Sequence, residues 1–245
     1  MAELATLPEY MLRNAVEMGG QPAIRLKELG IWESYTWSQY AAQVRELSLG
    51  LASLGFGRED KLGIIGTNLP RLYWAQVAAQ CLGGMAVPVY QDGIAKELAF
   101  VLQHAQAKII VAENQEQVDK ILSIRDELPD LQWLIYSDER GMVGYDEDIL
   151  RSYAEVQAAG RSFDSANAGY FDAEVGKGKS SDVALICYTS GTTGDPKGVM
   201  LTHGNLLSCG RIFVANEDVR ASDNFLAYLP MAWVGDTVYG LVISL

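Results

Sequence analysis

The sequence is short of the features that take a chain out of the cell or into a membrane. It holds only 3 cysteines, odd in number and far apart, so a disulfide framework is not what stabilises it. Cys81, Cys187 and Cys209 are expected to be buried free thiols in a reducing compartment. No apolar run approaches the ~18 residues of a membrane span. The start, Met1-Ala-Glu-Leu, lacks the basic and apolar regions of a secretory signal. These absences make the cytoplasm the expected address. Basic charge is also scarce: 19 Lys and Arg face 31 Asp and Glu, a net charge of -12, which repels a nucleic-acid backbone and argues against DNA or RNA as partner. There are 2 histidines, His104 and His203. Neither has a second ligand at metal-binding spacing, so both are expected to be structural. Asp92 and Asp223 are expected on the solvated surface, and no metal ligand set is assigned.

What is present suits a folded α/β chain. Residues are 49% hydrophobic and 20% charged, with Gly and Pro scattered, which is ordinary globular composition. Thr36 precedes Tyr40, Val44, Leu47, Leu51 and Leu54, one stripe of an amphipathic helix with Gly55 and Gly57 at its end. Short apolar runs follow at 61–66, 86–90, 108–112 and 133–136, separated by helical stretches at 71–82, 96–103 and 115–127, with a further helix over 147–159. Near-continuously apolar strands alternating with helices predict parallel-rich sheets with helices on both faces. Residues 161–182 read as an exposed linker between a first sub-region, 1–160, and a second, 183–245. In the second, strands are expected at 183–188, 198–202 and 225–229, with helices from about Asn205 and near Trp233.

An acidic chain can still hold an anionic nucleotide where backbone N–H groups converge beside a cation. Tyr188-Thr-Ser-Gly-Thr-Thr-Gly-Asp-Pro-Lys-Gly-Val-Met200 has that character. It follows a buried-type strand, its glycines leave the backbone open, Thr189, Ser190, Thr192 and Thr193 add hydroxyl donors, and Lys197 supplies a mobile charge. The spacing fails the nucleotide P-loop, because Gly194 comes too early and Lys197 precedes a glycine. It also fails the hydrolase elbow, since Tyr188 and Thr192 stand where glycines are required, so Ser190 is not a candidate nucleophile. A polar surface turn is the ordinary alternative for such a cluster.

The whole string closely resembles the signature of the adenylate-forming, or AMP-dependent, synthetase superfamily. Met200-Leu-Thr-His-Gly-Asn205, Asp60-Lys-Leu-Gly-Ile-Ile65 and Gly83-Gly-Met-Ala-Val-Pro-Val89 extend the likeness, and Tyr228-Leu-Pro-Met-Ala-Trp-Val-Gly-Asp236 is similar to a segment of long-chain fatty acyl-CoA synthetases. The resemblance implies an incomplete large N-terminal adenylation domain whose downstream elements, including a catalytic lysine domain, are absent. It implies that Thr189, Ser190, Gly191, Thr192, Thr193, Gly194 and Lys197 hold ATP phosphates, with Mg²⁺ arriving on the nucleotide and coenzyme A as acyl acceptor. It further implies that a carboxylic acid, expected to be a fatty acid, is the small-molecule substrate. Activation of an aromatic acid or amino acid, and a non-catalytic nucleotide-binding remnant, stand as alternatives. Trp233 occupies the place of a frequent histidine and either lines the acid pocket or packs in the core. No catalytic residue is assigned, and residues 1–245 alone are expected to be inactive.

Overall fold

Local signals set where the helices begin. Thr6, Thr36, Ser152 and Thr202 each accept a hydrogen bond from the backbone N–H three residues on, in reciprocal capping boxes. The helices they start are α1 (Leu7–Glu17), α2 (Trp37–Ser53), α6 (Tyr153–Ala166) and α8 (His203–Glu217). The Thr36 stripe is as the periodicity requires: Tyr40, Val44, Leu47 and Leu51 are buried, and Gly55 follows the helix at φ 84°. In this computed structural model the described residues are 4–189 and 194–245.

The chain is α/β. The strands are β1 (Pro22–Glu28), β2 (Ile31–Thr36), β3 (Lys61–Ile65), β4 (Met85–Val89), β5 (Ala107–Ala112), β6 (Trp133–Tyr136), β7 (Leu150–Ser152), β8 (Val183–Thr189) and β9 (Lys197–Thr202). β1 and β2 pair only with each other; the others form a seven-stranded sheet in the order β7-β6-β5-β3-β4-β8-β9. Every pairing in that sheet is parallel except β8 with β9. Side chains alternate across it. Leu62, Ile64, Ile109 and Val111 join one core, while Ile65, Ile110 and Ala112 join the other. The first core is covered by α1, α2, α6, α8, α3 (Pro70–Cys81) and α7 (Tyr170–Val175), the second by α4 (Ala95–Ala105) and α5 (Gln115–Ser123). Among the described residues no helix is long and apolar enough to cross a membrane.

The structure differs from the sequence-based expectation in several places. Residues 161–182 are not an open connection: α6 continues to Ala166, and α7 buries Phe171 and Val175. Arg45 joins these two helices, pairing with Asp164 at 2.9 Å and Asp172 at 3.4 Å while stacking on Phe171. A few large anchors amid Gly, Ser, Asn and Asp hold these helices by tertiary packing, which composition alone does not reveal. The helix placed at 147–159 is instead β7 leading into α6. Because β8 pairs with β4, the segment from 183 joins the first sheet. Residues 225–229 form no strand among the described residues; Phe225, Leu226 and Tyr228 are exposed. Cys81 and Cys187 are buried as expected, but Cys209 is exposed.

α2 and α6 pack closely because Gly50 and Gly160 carry no side chain. A Cβ on Gly160 would collide with the Glu46 carbonyl and lie 2.7 Å from the Gly50 nitrogen, both backbone atoms that cannot swing aside. Gly160→Ala is expected to cost about 2–3 kcal/mol by overpacking, while Gly20→Ala, which meets nothing within 4 Å, should stay within about 0.5 kcal/mol of the parent chain. Urea unfolding followed by circular dichroism distinguishes the two, and equal losses would show that the helix contact is not the constraint.

Candidate functional site

β8 runs parallel to β4, so Thr189 emerges at the carboxyl edge of the sheet, beside the ends of β3 and β4. Open α/β sheets bind ligands outside this edge, where helices on opposite faces leave a crevice. β9 returns antiparallel and sets Lys197 opposite Thr189 in the ladder. Both residues are exposed. Gly194 has φ 121°, and nothing lies within 4 Å of where its Cβ would stand. Among the described residues Lys197 has no ion-pair partner. Thr189, Gly194 and Lys197 thus share one open, cation-bearing turn; Ser190, Gly191, Thr192 and Thr193 lie outside the described residues. An exposed lysine and hydroxyl at a strand end, facing open space, fit an anionic phosphate chain.

The base of this turn is braced. The Tyr188 hydroxyl lies 2.7 Å from His104 Nδ1, and the His104 ring stacks on Phe100 with centroids 5.8 Å apart. Partial burial raises the Tyr188 pKa, so the phenol stays protonated and can donate to the imidazole. His104, though exposed, therefore ties α4 to the end of β8. His203 is buried and accepts the Leu7 N–H at Nδ1, 3.2 Å away, linking the start of α8 to α1. Burial lowers its pKa to about 4, keeping the ring neutral. Both histidines therefore have structural contacts. Among the described residues no group of three or more His, Cys, Asp or Glu could hold a metal ion.

A small cavity of about 50 Å³ lies beside Tyr188, lined by Val89, Leu98, Val101 and Ala232 among others. Ligand pockets for drug-sized molecules measure about 300–1,000 Å³, so this is a notch in the sheet edge rather than an acid-sized chamber. A larger cavity of about 400 Å³ between α2 and α6 shares no lining residue with the β8–β9 turn and is edged by the Arg45–Asp164 pair. Trp233 is 48% exposed, so it is not a core residue of the described chain. Asp92 and Asp223 are exposed.

The structure also reveals a polar cluster behind Trp233. Asp236, 1% exposed, accepts the Tyr73 hydroxyl at 2.9 Å and Asn68 Nδ2 at 2.7 Å. Asn68 Nδ2 also lies 3.0 Å from the Leu229 carbonyl, and Gln76 Nε2 reaches Thr237 Oγ1 at 3.3 Å. These contacts fasten residues 229–237 onto the first turns of α3. Sequence periodicity misses them because the partners lie over 160 positions apart; the only local signal is an aspartate embedded in Trp-Val-Gly-Asp-Thr-Val. With no cation beside it, burial pushes the Asp236 carboxyl up to about 6, although the Tyr73 and Asn68 hydrogen bonds act the other way.

The chain is similar to known proteins along nearly its whole length. The family model described as AMP-binding enzyme matches residues 12–245. A long-chain-fatty-acid–CoA ligase, ACSBG2 of Xenopus laevis, is 30% identical over 243 residues, covering 95% of this chain and 32% of its own length. The Drosophila melanogaster long-chain-fatty-acid–CoA ligase heimdall is 25% identical over 248 residues, covering 98% and 36%. The chain therefore spans about a third of the length of these curated relatives. Among solved structures, the inhibitor-bound N-terminal domain of FACL13 from Mycobacterium tuberculosis superposes with a TM-score of 0.79 at 23% identity, covering 98% of this chain and 55% of that one.

Asp236 and His203 shape stability against pH in opposite directions. Asp236 binds its proton more tightly folded than unfolded (about 6 against 3.8), so its contribution is complete below about pH 4 and is lost as pH rises through 6. His203 releases its proton on folding (about 4 against 6.5), so its contribution is complete above 6.5 and is lost as pH falls toward 4. The two slopes offset one another. Asp236→Asn is expected to gain on the order of 2–3 kcal/mol relative to the parent chain between pH 4 and 7, read from urea midpoints at both pH values. An equal difference at the two would show that the carboxyl is not buried in its charged form.

Proposed function

The chain belongs to the AMP-binding enzyme family, and from that premise we propose that it supplies the phosphate-holding part of an enzyme that activates a hydrophobic carboxylic acid with ATP and passes the acyl group to coenzyme A. The observation that carries this is the β8–β9 turn. It places Thr189 opposite Lys197 at the carboxyl edge of a parallel sheet, with backbone and hydroxyl donors supplied by the Ser190-Gly-Thr-Thr-Gly194 segment between them.

A carboxylate is a poor acyl donor; a bound ATP supplies the leaving group by adenylation, with pyrophosphate released. The residues of this chain orient and offset charge. Thr189, Ser190, Gly191, Thr192, Thr193 and Gly194 present donors to the phosphate oxygens, and Lys197 balances charge as pyrophosphate departs. Tyr188 and His104 hold the end of β8 in place before the nucleotide arrives. No covalent nucleophile is needed. Mg²⁺ would arrive on the phosphates, as expected for an ion that keeps most of its own water.

A fatty acid is favoured over an aromatic acid or amino acid by the names of the relatives, long-chain-fatty-acid–CoA ligases at 25–30% identity. The site is consistent with this. Trp233 is half exposed on a segment fixed to α3 by Asp236 and Asn68, so its ring can form one wall of an apolar acid pocket without moving.

In the full-length protein, Lys197→Ala and Thr192→Ala are expected to lower acid-dependent pyrophosphate exchange by about 100-fold. Unfolding midpoints should be almost unchanged for Lys197→Ala, because that side chain is exposed. Exchange at the parent rate in both variants would remove the turn from the site. Residues 1–245 alone, a third of the relatives' length, are expected to show no exchange and only weak ATP binding by calorimetry, and a rate near that of the full-length protein would overturn this. Fatty acids of graded length tested with coenzyme A beside benzoate-type acids and amino acids settle the substrate class; a clear preference for amino acids would refute the choice made here.

A further inference from the structure

The β1–β2 hairpin ends in a two-residue turn, Leu29-Gly30, between the paired residues Glu28 and Ile31. Leu29 has φ 48° and Gly30 φ 84°, the pattern of a turn that normally takes Asn-Gly or Asp-Gly, because a branched apolar side chain is disfavoured at positive φ. Among the described residues the strain brings Leu29 no packing. Leu29 is 95% exposed, and its neighbours Ile31 and Trp32 are 69% and 60% exposed. Three large apolar side chains are therefore exposed at or next to a tip whose backbone would be easier with a polar residue, Ile31 and Trp32 on opposite faces of the hairpin. A strained position that contributes nothing to packing points to a role outside the fold.

The surroundings indicate what the tip meets. Hairpin residues 22–36 carry Arg25 and Lys27 against Glu28 and Glu33, no net charge, in a chain of net charge -12. Lys27 Nζ sits 5.7 Å from the centre of the Trp32 ring, pairing an amphipathic aromatic with a cation that can reach toward water, the combination found at membrane–water interfaces. Arg25 is held at the root by Asn224 at 2.8 Å, so the hairpin is tethered and its tip is free. The tip is a two-residue turn. A specific protein interface needs about 800 Å² per partner with matched shape, which three side chains around one turn do not provide, whereas a bilayer needs no matched surface.

We propose that the Leu29–Trp32 tip inserts into the interfacial region of a neutral lipid bilayer and docks the protein there. Leu29 and Ile31 enter the acyl boundary, Trp32 lies at headgroup level, and Lys27 remains on the water side. The overall negative charge disfavours anionic bilayers, so the surface chosen is zwitterionic. Nothing in this surface depends on the adenylation chemistry, and its test uses no enzymatic assay. Hydrophobic acids partition into bilayers, so docking would bring the proposed site to its substrate.

The experiment measures partition of the purified chain onto phosphatidylcholine vesicles by flotation, and quenching of tryptophan fluorescence by phosphatidylcholine carrying brominated acyl chains. Leu29→Asn removes the apolar tip while giving the turn a residue it prefers, so the unfolding midpoint should hold or rise as partition falls about tenfold, the scale of one exposed leucine. Trp32→Phe should keep most of the partition and lose most of the quenching. Replacing part of the phosphatidylcholine with phosphatidylserine should weaken binding. The proposal is overturned by equal partition of parent and Leu29→Asn, by quenching that survives Trp32→Phe, or by binding that requires the anionic lipid. It is also overturned if the parent dimerises with rising concentration and Leu29→Asn does not, which would assign the tip to a second copy of the chain.

Discussion

Burial of helix α3 is the constraint around which the rest of the chain is arranged. Of its 12 residues all but Arg71 are buried, so the helix must be covered on every side, and its polar side chains must find partners inside the protein. Gln80 donates to the Ala184 carbonyl at 3.1 Å, locking α3 to β8. Tyr73 and Gln76 reach Asp236 and Thr237, and Tyr40 and Trp74 meet edge to face across the α2 contact. Arg71, the exposed exception, lies over the Tyr153 ring and donates to the Ser137 carbonyl, joining α6 and the end of β6. One buried helix thus gathers the sheet, α2, α6 and the 229–237 segment.

That arrangement decides what the carboxyl edge can present. β8 is held beside β4 by the parallel ladder and by Gln80, so Thr189 stands on a fixed strand end. A hydroxyl on a fixed strand end suits charge stabilisation, since little reorganisation is needed when an anion arrives. The same edge carries Tyr90, Trp233 and the notch beside Tyr188. The described residues at this edge are polar at Thr189 and Lys197 and apolar around Val89, Leu98 and Ala232. They do not enclose an acid-sized pocket, which agrees with a chain spanning a third of its curated relatives.

Much was legible from residues alone. Thr36 and Gln39 announce the start of α2 because a capping box is made within four residues. The runs at Lys61–Ile65 and Trp133–Tyr136 read as strands because burial on both faces demands continuous apolar character. The phosphate-holding expectation for 189–197 could be formed because its donors and its cation lie close together along the chain. Where local pattern was weak, it misled. Residues 161–182 look like a polar linker, yet Arg45, Phe171 and the Gly50–Gly160 contact hold much of this stretch in α6 and α7. Phe225–Leu229 has the composition of a strand but no neighbour to pair with among the described residues. The β1–β2 hairpin escaped notice because leucine stands where its turn usually has asparagine.

The sequence by itself determined the alternation of strands and helices and the family likeness, since each is encoded in near neighbours along the chain. Only the tertiary structure decided that Asp236 is buried against Asn68 and Tyr73, that Trp233 stands half exposed, that His203 holds α1, and that Leu29, Ile31 and Trp32 are all exposed. Those outcomes depend on pairs of surfaces far apart in the chain, or on the absence of any partner, and neither leaves a periodic trace in the order of residues.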